Sequence, residues 1–200
     1  MNCSIKSLTY FFLWCYVFNG DFGVKVFAQE TISASDDSQL SVRDRLNTSI
    51  NSDGSLPDGE FILFPEFSGE RLDKPGKNQT FTSKRGFMSA VFFVSSWCPE
   101  CQEILPEIKK TILKYEPLGF NAQIVYAYDK PSEAYGSSKE FGVTPYSLIA
   151  NSKIISQFHS PEIPAVYFSD RNTFLAGRIT KLNSTKLADL QDKIRIWLGF

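Results

Sequence analysis

The sequence has a single histidine, His159, and only four cysteines among its 200 residues. A site that needs several imidazoles is excluded at once. There is no excess of either charge: the formal net charge is −1. Nothing general therefore points to nucleic acid or an anionic membrane surface as partner. A disulfide framework is missing too. Cys3 and Cys15 lie near the N-terminus, which leaves Cys98 and Cys101 as the one pair in the rest of the chain. A single CxxC pair does not staple a domain. Nor is there a long hydrophobic run. Leu8 to Phe18 is the best candidate, and it is too short for a bilayer span, which needs about 20 residues.

That short run follows Lys6 and precedes Val26-Phe27-Ala28, the pattern of a secretory signal cleaved after Ala28. The runner-up is an uncleaved membrane anchor. Lipid modification of Cys15 is disfavoured by bulky Trp14, where such processing takes a small residue. Residues 29–59 are rich in Ser, Asp and Asn. They have too few large apolar groups to offset their ordering entropy, and read as a disordered linker. The folded domain is expected over 60–200.

Within it, one stretch stands out: Val94-Ser95-Ser96-Trp97-Cys98-Pro99-Glu100-Cys101. Two thiols at this spacing can close a small ring, hold a metal or exchange disulfides. Met88 to Val94 is apolar and reads as a buried strand, whereas Ile104, Leu105, Ile108, Ile112 and Leu113 recur at helical spacing. Cys98 thus falls near a helix N-terminus, where free amides and the positive end of the dipole favour an anion. A thiolate is such an anion, and it is the reactive form of cysteine.

The remaining pattern predicts strands at 61–64 and 79–82 joined by polar turns, with turn chemistry at Gly69 and Pro75-Gly76. Pro106 falls inside the CxxC helix and should bend it. A strand at 123–128 follows, implying a parallel crossover. Helical pieces are expected at 131–141 and 147–158. A strand from Glu162 to Phe168, a turn at Asn172 and a returning strand at 174–180 come next. A last helix is capped by Asn183 or Ser184, with Leu187, Leu190, Ile194 and Trp197 on one face.

Trp97-Cys98-Pro99-Glu100-Cys101 after a buried strand, Pro106 beyond it, Ile163-Pro164 opening a later strand, and the closing amphipathic helix together resemble the thioredoxin superfamily over about residues 60–200. The separation of Cys101 from Pro164 and the signal-like start look like the TlpA-like group. These are secreted or membrane-tethered bacterial thiol–disulfide reductases that include cytochrome c maturation proteins. The resemblance implies an α/β fold with a central mixed sheet flanked by helices and an N-terminal strand or hairpin extension. It implies Cys98 as attacking thiol, Cys101 as resolving thiol and a redox-active disulfide between them. Substrate would be bound through Trp97 and a cis-proline loop at Ile163 and Pro164. One departure is clear: the acid that thioredoxin buries beneath its cysteines is replaced by Phe92.

Pro99 and Glu100 should tune the pair. Proline has no N–H to offer sulfur, and a carboxylate near Cys98 opposes its thiolate. The expected activity is therefore reduction or isomerisation of protein disulfides in the periplasm or outside the cell, by a chain acting as a monomer. No cofactor and no nucleic-acid partner are implied, only protein thiol substrates and an upstream thiol reductant. The alternatives are a DsbA-like oxidase and a non-catalytic or copper-binding module of the same fold. Copper-handling relatives pair two cysteines with a distant histidine, here His159. They space the cysteines by three residues, however, so no metal is expected at Cys98 and Cys101. If the signal reading holds, the mature chain purified after secretion begins at Gln29 by N-terminal sequencing; a full-length, membrane-retained chain would establish the anchor instead.

Overall fold

The computed structural model describes residues 61–200. The signal, linker and Glu60 boundary expected from the sequence lie outside the described residues. Strand β3 (Met88–Val94) is buried along its whole length. It lies inside a seven-stranded mixed sheet of order β2-β1-β5-β4-β3-β6-β7. The other strands are β1 (Phe67–Arg71), β2 (Asn78–Phe81), β4 (Phe120–Tyr126), β5 (Ser147–Ile149), β6 (Ala165–Ser169) and β7 (Leu175–Thr180). Helices α1 (Pro99–Tyr115), α2 (Pro131–Glu140), α3 (Ser152–Gln157) and α4 (Ser184–Leu198) connect or close it.

Alternation along β3 explains why its sequence is a continuous apolar run. Successive side chains point to opposite faces of a strand, and here both faces are covered. Ala90, Phe92 and Val94 join one core with Ile104, Leu105, Ile108 and Ile112 of α1 and Leu187, Leu190 and Ile194 of α4. Val91 and Phe93 join the other, with Ile154 of α3, Phe158, Tyr167 and the incoming Ile62 and Phe64. The second core is largely aromatic. Phe158 meets Phe93 at 4.9 Å, Tyr167 at 5.0 Å and Phe67 at 5.6 Å between ring centroids. These tilted and edge-on pairs are the favoured arrangements of aromatic quadrupoles.

β3 and β4 are parallel, with Val94 beside Tyr126, as the crossover reading requires. β3 and β6 are antiparallel, with Phe93 opposite Ala165. The closing helix is capped by Asn183, whose side chain accepts from the Lys186 amide, and its buried face carries Leu187, Leu190 and Ile194. Pro106 does fall inside α1.

Four expectations need correction. Residues 61–64 form no strand; Leu63 makes only an isolated bridge to Phe174, flanked by hydrogen bonds from Phe64 N to Thr173 O and from Leu175 N to Ile62 O. The hairpin partner of β2 is instead β1, in the segment expected to be turns. Gly69 explains the misreading. It serves space rather than turning: a Cβ there would stand 3.0 Å from the Ile149 carbonyl oxygen and 3.1 Å from Ile154 Cδ1. Residues 147–149 are a fully buried inner strand, not the start of a helix, because a stretch of three residues carries no period that separates the two. Leu113, placed on the apolar face of α1, is exposed.

Truncating Phe158 would empty the middle of the aromatic core. Phe158→Ala should cost about 3–5 kcal/mol, read as a lowered urea midpoint, with the exposed Leu113→Ala changing it little.

Candidate active site

Both thiols sit where β3 runs into α1. Cys98 is the N-cap of the helix in extended conformation, Pro99 occupies its first turn, and Cys98 Sγ accepts a hydrogen bond from the Cys101 amide at 3.2 Å. That amide is one of the donors a helix start leaves unpaired, so the field expected from the sequence has a specific donor. Proline suits this position because its missing N–H would be unpaired there anyway. The two cysteines are joined as a disulfide, with Cα atoms 5.2 Å apart. Cys98 retains 3% exposure and Cys101 none. Cys98 is thus the less buried of the two, and only narrowly so.

Glu100 is solvent-exposed, yet its carboxylate approaches the pair. Its Oε2 lies 3.7 Å from Cys98 Sγ. A carboxylate at that distance opposes the negative charge that the Cys101 amide and the helix end favour. Trp97 is 60% exposed, so its ring presents a surface instead of filling the core.

Extending the β3–β6 register beyond Phe93 and Ala165 sets Pro164 across from Val94 and Ile163 across from Ser95. The Ile163–Pro164 peptide is cis, and the Pro164 carbonyl accepts from the Leu182 amide at 2.9 Å. Ile163 and Pro164, with Glu100, Glu103, Ile104 and Leu182, line a groove of about 450 Å³ between the first turns of α1 and the loop before α4. The structure therefore brings Trp97, Cys98, Pro99, Glu100, Cys101, Ile163 and Pro164 to one end of the sheet.

Below the thiols the surroundings are apolar. Cys101 shares its core with Phe92, Leu105 and Tyr126. Tyr126 is itself held protonated, since burial pushes its hydroxyl up to about 12 against the opposing hydrogen bond from Ser137. Among the described residues the buried polar side chains are Ser, Thr and Gln. Among the described residues no buried carboxylate stands in for the acid missing at Phe92. His159 lines a separate polar cavity with Glu162, Tyr167, Arg178 and Lys181. Among the described residues no three His, Cys, Asp or Glu side chains gather as a metal-ligand set.

Sequence reading missed Asp129. It lies just past β4, and its carboxylate accepts from the Ser95 hydroxyl at 2.9 Å, the Ser96 hydroxyl at 2.7 Å and the Ser96 amide at 3.0 Å. The signal was available in the parallel pairing, because residues leaving the carboxyl ends of adjacent parallel strands converge on one crevice.

No family model and no curated protein matches the chain. Solved structures do. A thiol:disulfide interchange protein of the thioredoxin family from Chlorobium tepidum aligns at 23% identity and TM-score 0.62, over 72% of this chain and all of its own. The thioredoxin domain of a thiol-disulfide oxidoreductase from Bacteroides vulgatus aligns at 17% identity and TM-score 0.57, over 70% of this chain and 98% of its own. A secreted Mycobacterium tuberculosis disulfide oxidoreductase, homologous to Escherichia coli DsbE, aligns at 15% identity and TM-score 0.54, over 65% of this chain and 95% of its own. The fold is thioredoxin-like, with its central mixed sheet and flanking helices.

Neutralising the carboxylate beside Cys98 should stabilise its thiolate. For Glu100→Gln the Cys98 thiol should titrate at lower pH in alkylation kinetics. The disulfide should become more oxidising against a glutathione buffer, because stabilising the reduced form raises the potential.

Proposed function

We propose that this chain is a thiol–disulfide oxidoreductase that reduces or rearranges protein disulfides outside the cytoplasm. The observation that carries the reading is Cys98. Its sulfur caps a helix and receives the Cys101 amide, Cys98 is the less buried residue of the pair, and Ile163 and Pro164 stand at the same end of the sheet. The Chlorobium, Bacteroides and Mycobacterium proteins of this fold, named for the same chemistry, support it.

In the reduced chain the Cys98 thiolate attacks a substrate disulfide. One Cys98–substrate S–S bond forms, the substrate S–S bond breaks, and the first substrate sulfur leaves and takes a proton. Cys101, after losing its own proton, attacks the Cys98 sulfur; the Cys98–Cys101 bond forms and the second substrate thiolate departs. Once that thiolate is protonated the substrate has gained two electrons and two protons, one released by Cys101 and one from solvent, and the chain is left as the disulfide seen here. A thiol reductant upstream must restore it. With Phe92 where an acid would sit, the Cys101 proton leaves to water or to the departing thiolate.

Glu100 at 3.7 Å from Cys98 favours the reducing direction, since a carboxylate there destabilises the thiolate that a strong oxidase stabilises. Trp97, Ile163 and Pro164 are assigned to substrate contact, with the substrate lying extended along the Ile163 backbone as an added strand. The secreted Mycobacterium relative and the signal-like N-terminus support a periplasmic or extracellular chain, with a membrane tether if the signal is retained. Among the described residues no helix is long and apolar enough to cross a membrane.

Reduction of insulin with dithiothreitol as electron source should be catalysed by the wild type and abolished in Cys98→Ser. Cys101→Ser should hold substrates as mixed disulfides on Cys98, released by reductant on a non-reducing gel. A wild type no faster than dithiothreitol alone overturns the assignment, and a potential as oxidising as DsbA's reverses its direction.

A further inference from the structure

The loop leaving β4 does more than connect it to α2. Tyr128 has φ of 64°, a left-handed conformation that is a real outlier for a bulky side chain and persists only where the surroundings impose it. The twist sends consecutive side chains to two different places. Asp129 reaches the turn in front of the thiols and takes hydrogen bonds from Ser95 and Ser96. Tyr128 reaches the loop in front of Pro164 and donates its hydroxyl to the Pro161 carbonyl at 3.2 Å. The loop is itself anchored through Ala127, whose amide donates to the Val94 carbonyl at 2.8 Å.

The Ser95–Cys98 turn is held from its other side as well. Gln102 Nε2 donates to the Ser96 carbonyl at 2.7 Å and the Cys98 amide to the Ser95 carbonyl at 3.4 Å. The Ser96 carbonyl is thus held from the helix and the Ser95 carbonyl from within the turn, and Ser96 N–H and both serine hydroxyls are held by Asp129. Among the described residues Asp129 forms no ion pair within 4.0 Å, so its charge is spent on this turn. Such charge-assisted bonds are about twice as strong as neutral ones. We propose that Tyr128 and Asp129 act together as a positioning strut, which fixes the turn carrying Cys98 against the loop carrying Ile163 and Pro164 and so sets the alignment of a bound disulfide with the attacking sulfur.

This rests on the thiol-exchange reading, and it adds two residues that touch neither sulfur. Attack on a disulfide requires the incoming sulfur to lie in line with the bond being broken. The nucleophile and the docking strand belong to different loops, and a displacement of about 1 Å between them is enough to cost on the order of a hundredfold in rate.

The test uses the full chain with three variants, each first checked for native far-UV circular dichroism below its melting temperature. Asp129→Ala should lower kcat for insulin reduction at least about tenfold. Asp129→Asn loses the charge but keeps an acceptor for Ser96, and should restore most of that rate. Tyr128→Phe deletes only the hydroxyl, and should raise KM several-fold with kcat nearly unchanged. Alkylation of reduced Cys98 by iodoacetamide needs no docking and should respond alike in both Asp129 variants. Asp129→Ala at the wild-type rate, Asp129→Asn as slow as Asp129→Ala, or Tyr128→Phe with unchanged KM would each overturn the strut. Hydrogen exchange of the Ser96 amide separates this failure from that of the proposed function. It should quicken at least about tenfold in Asp129→Ala whether or not insulin is reduced, and unchanged protection overturns the strut by itself.

Discussion

Everything at the reactive end depends on β3 being buried on both faces. Because Met88–Val94 is clamped between two cores, its carboxyl end cannot shift in register or tilt. The turn that follows inherits that rigidity. Parallel pairing with β4 delivers Asp129 to one side of this turn, and antiparallel pairing with β6 delivers Pro164 to the other. The thiols are thus located by three adjacent strands rather than by the flexibility of a loop, as precise sites built on rigid elements tend to be.

Two opposing fields then act on one sulfur. The helix start and the Cys101 amide favour charge on Cys98, and Glu100 disfavours it. Of these the backbone contribution is common to any helix capped by cysteine, whereas the carboxylate belongs to this sequence. The two residues between the cysteines, Pro99 and Glu100, are accordingly where one chain of this fold can differ most cheaply from another in redox poise. The apolar floor beneath Cys101 has a similar consequence: with Phe92 there and Tyr126 locked protonated, proton traffic is left to groups outside the core.

Much of this was legible in the residues. The run at 88–94, the helical period after Glu100 and the Ile163-Pro164 pair were readable because each carries a strong local signal, namely buried alternation, amphipathic spacing or a fixed φ. What escaped was non-local. Ser147-Leu148-Ile149 is too short to have a period, and only its neighbours β1 and β4 make it a strand. Gly69 looked like punctuation because the crowding by Ile149 and Ile154 that demands it comes from residues far along the chain. Asp129 read as one more polar loop residue until parallel pairing set it beside Ser95 and Ser96.

The contacts of Ile62 and Phe64 with the turn between β6 and β7 give the molecule a polarity. β6 starts beside the thiols and ends at that turn, so the first described residues are fastened to the pole of the sheet opposite Cys98.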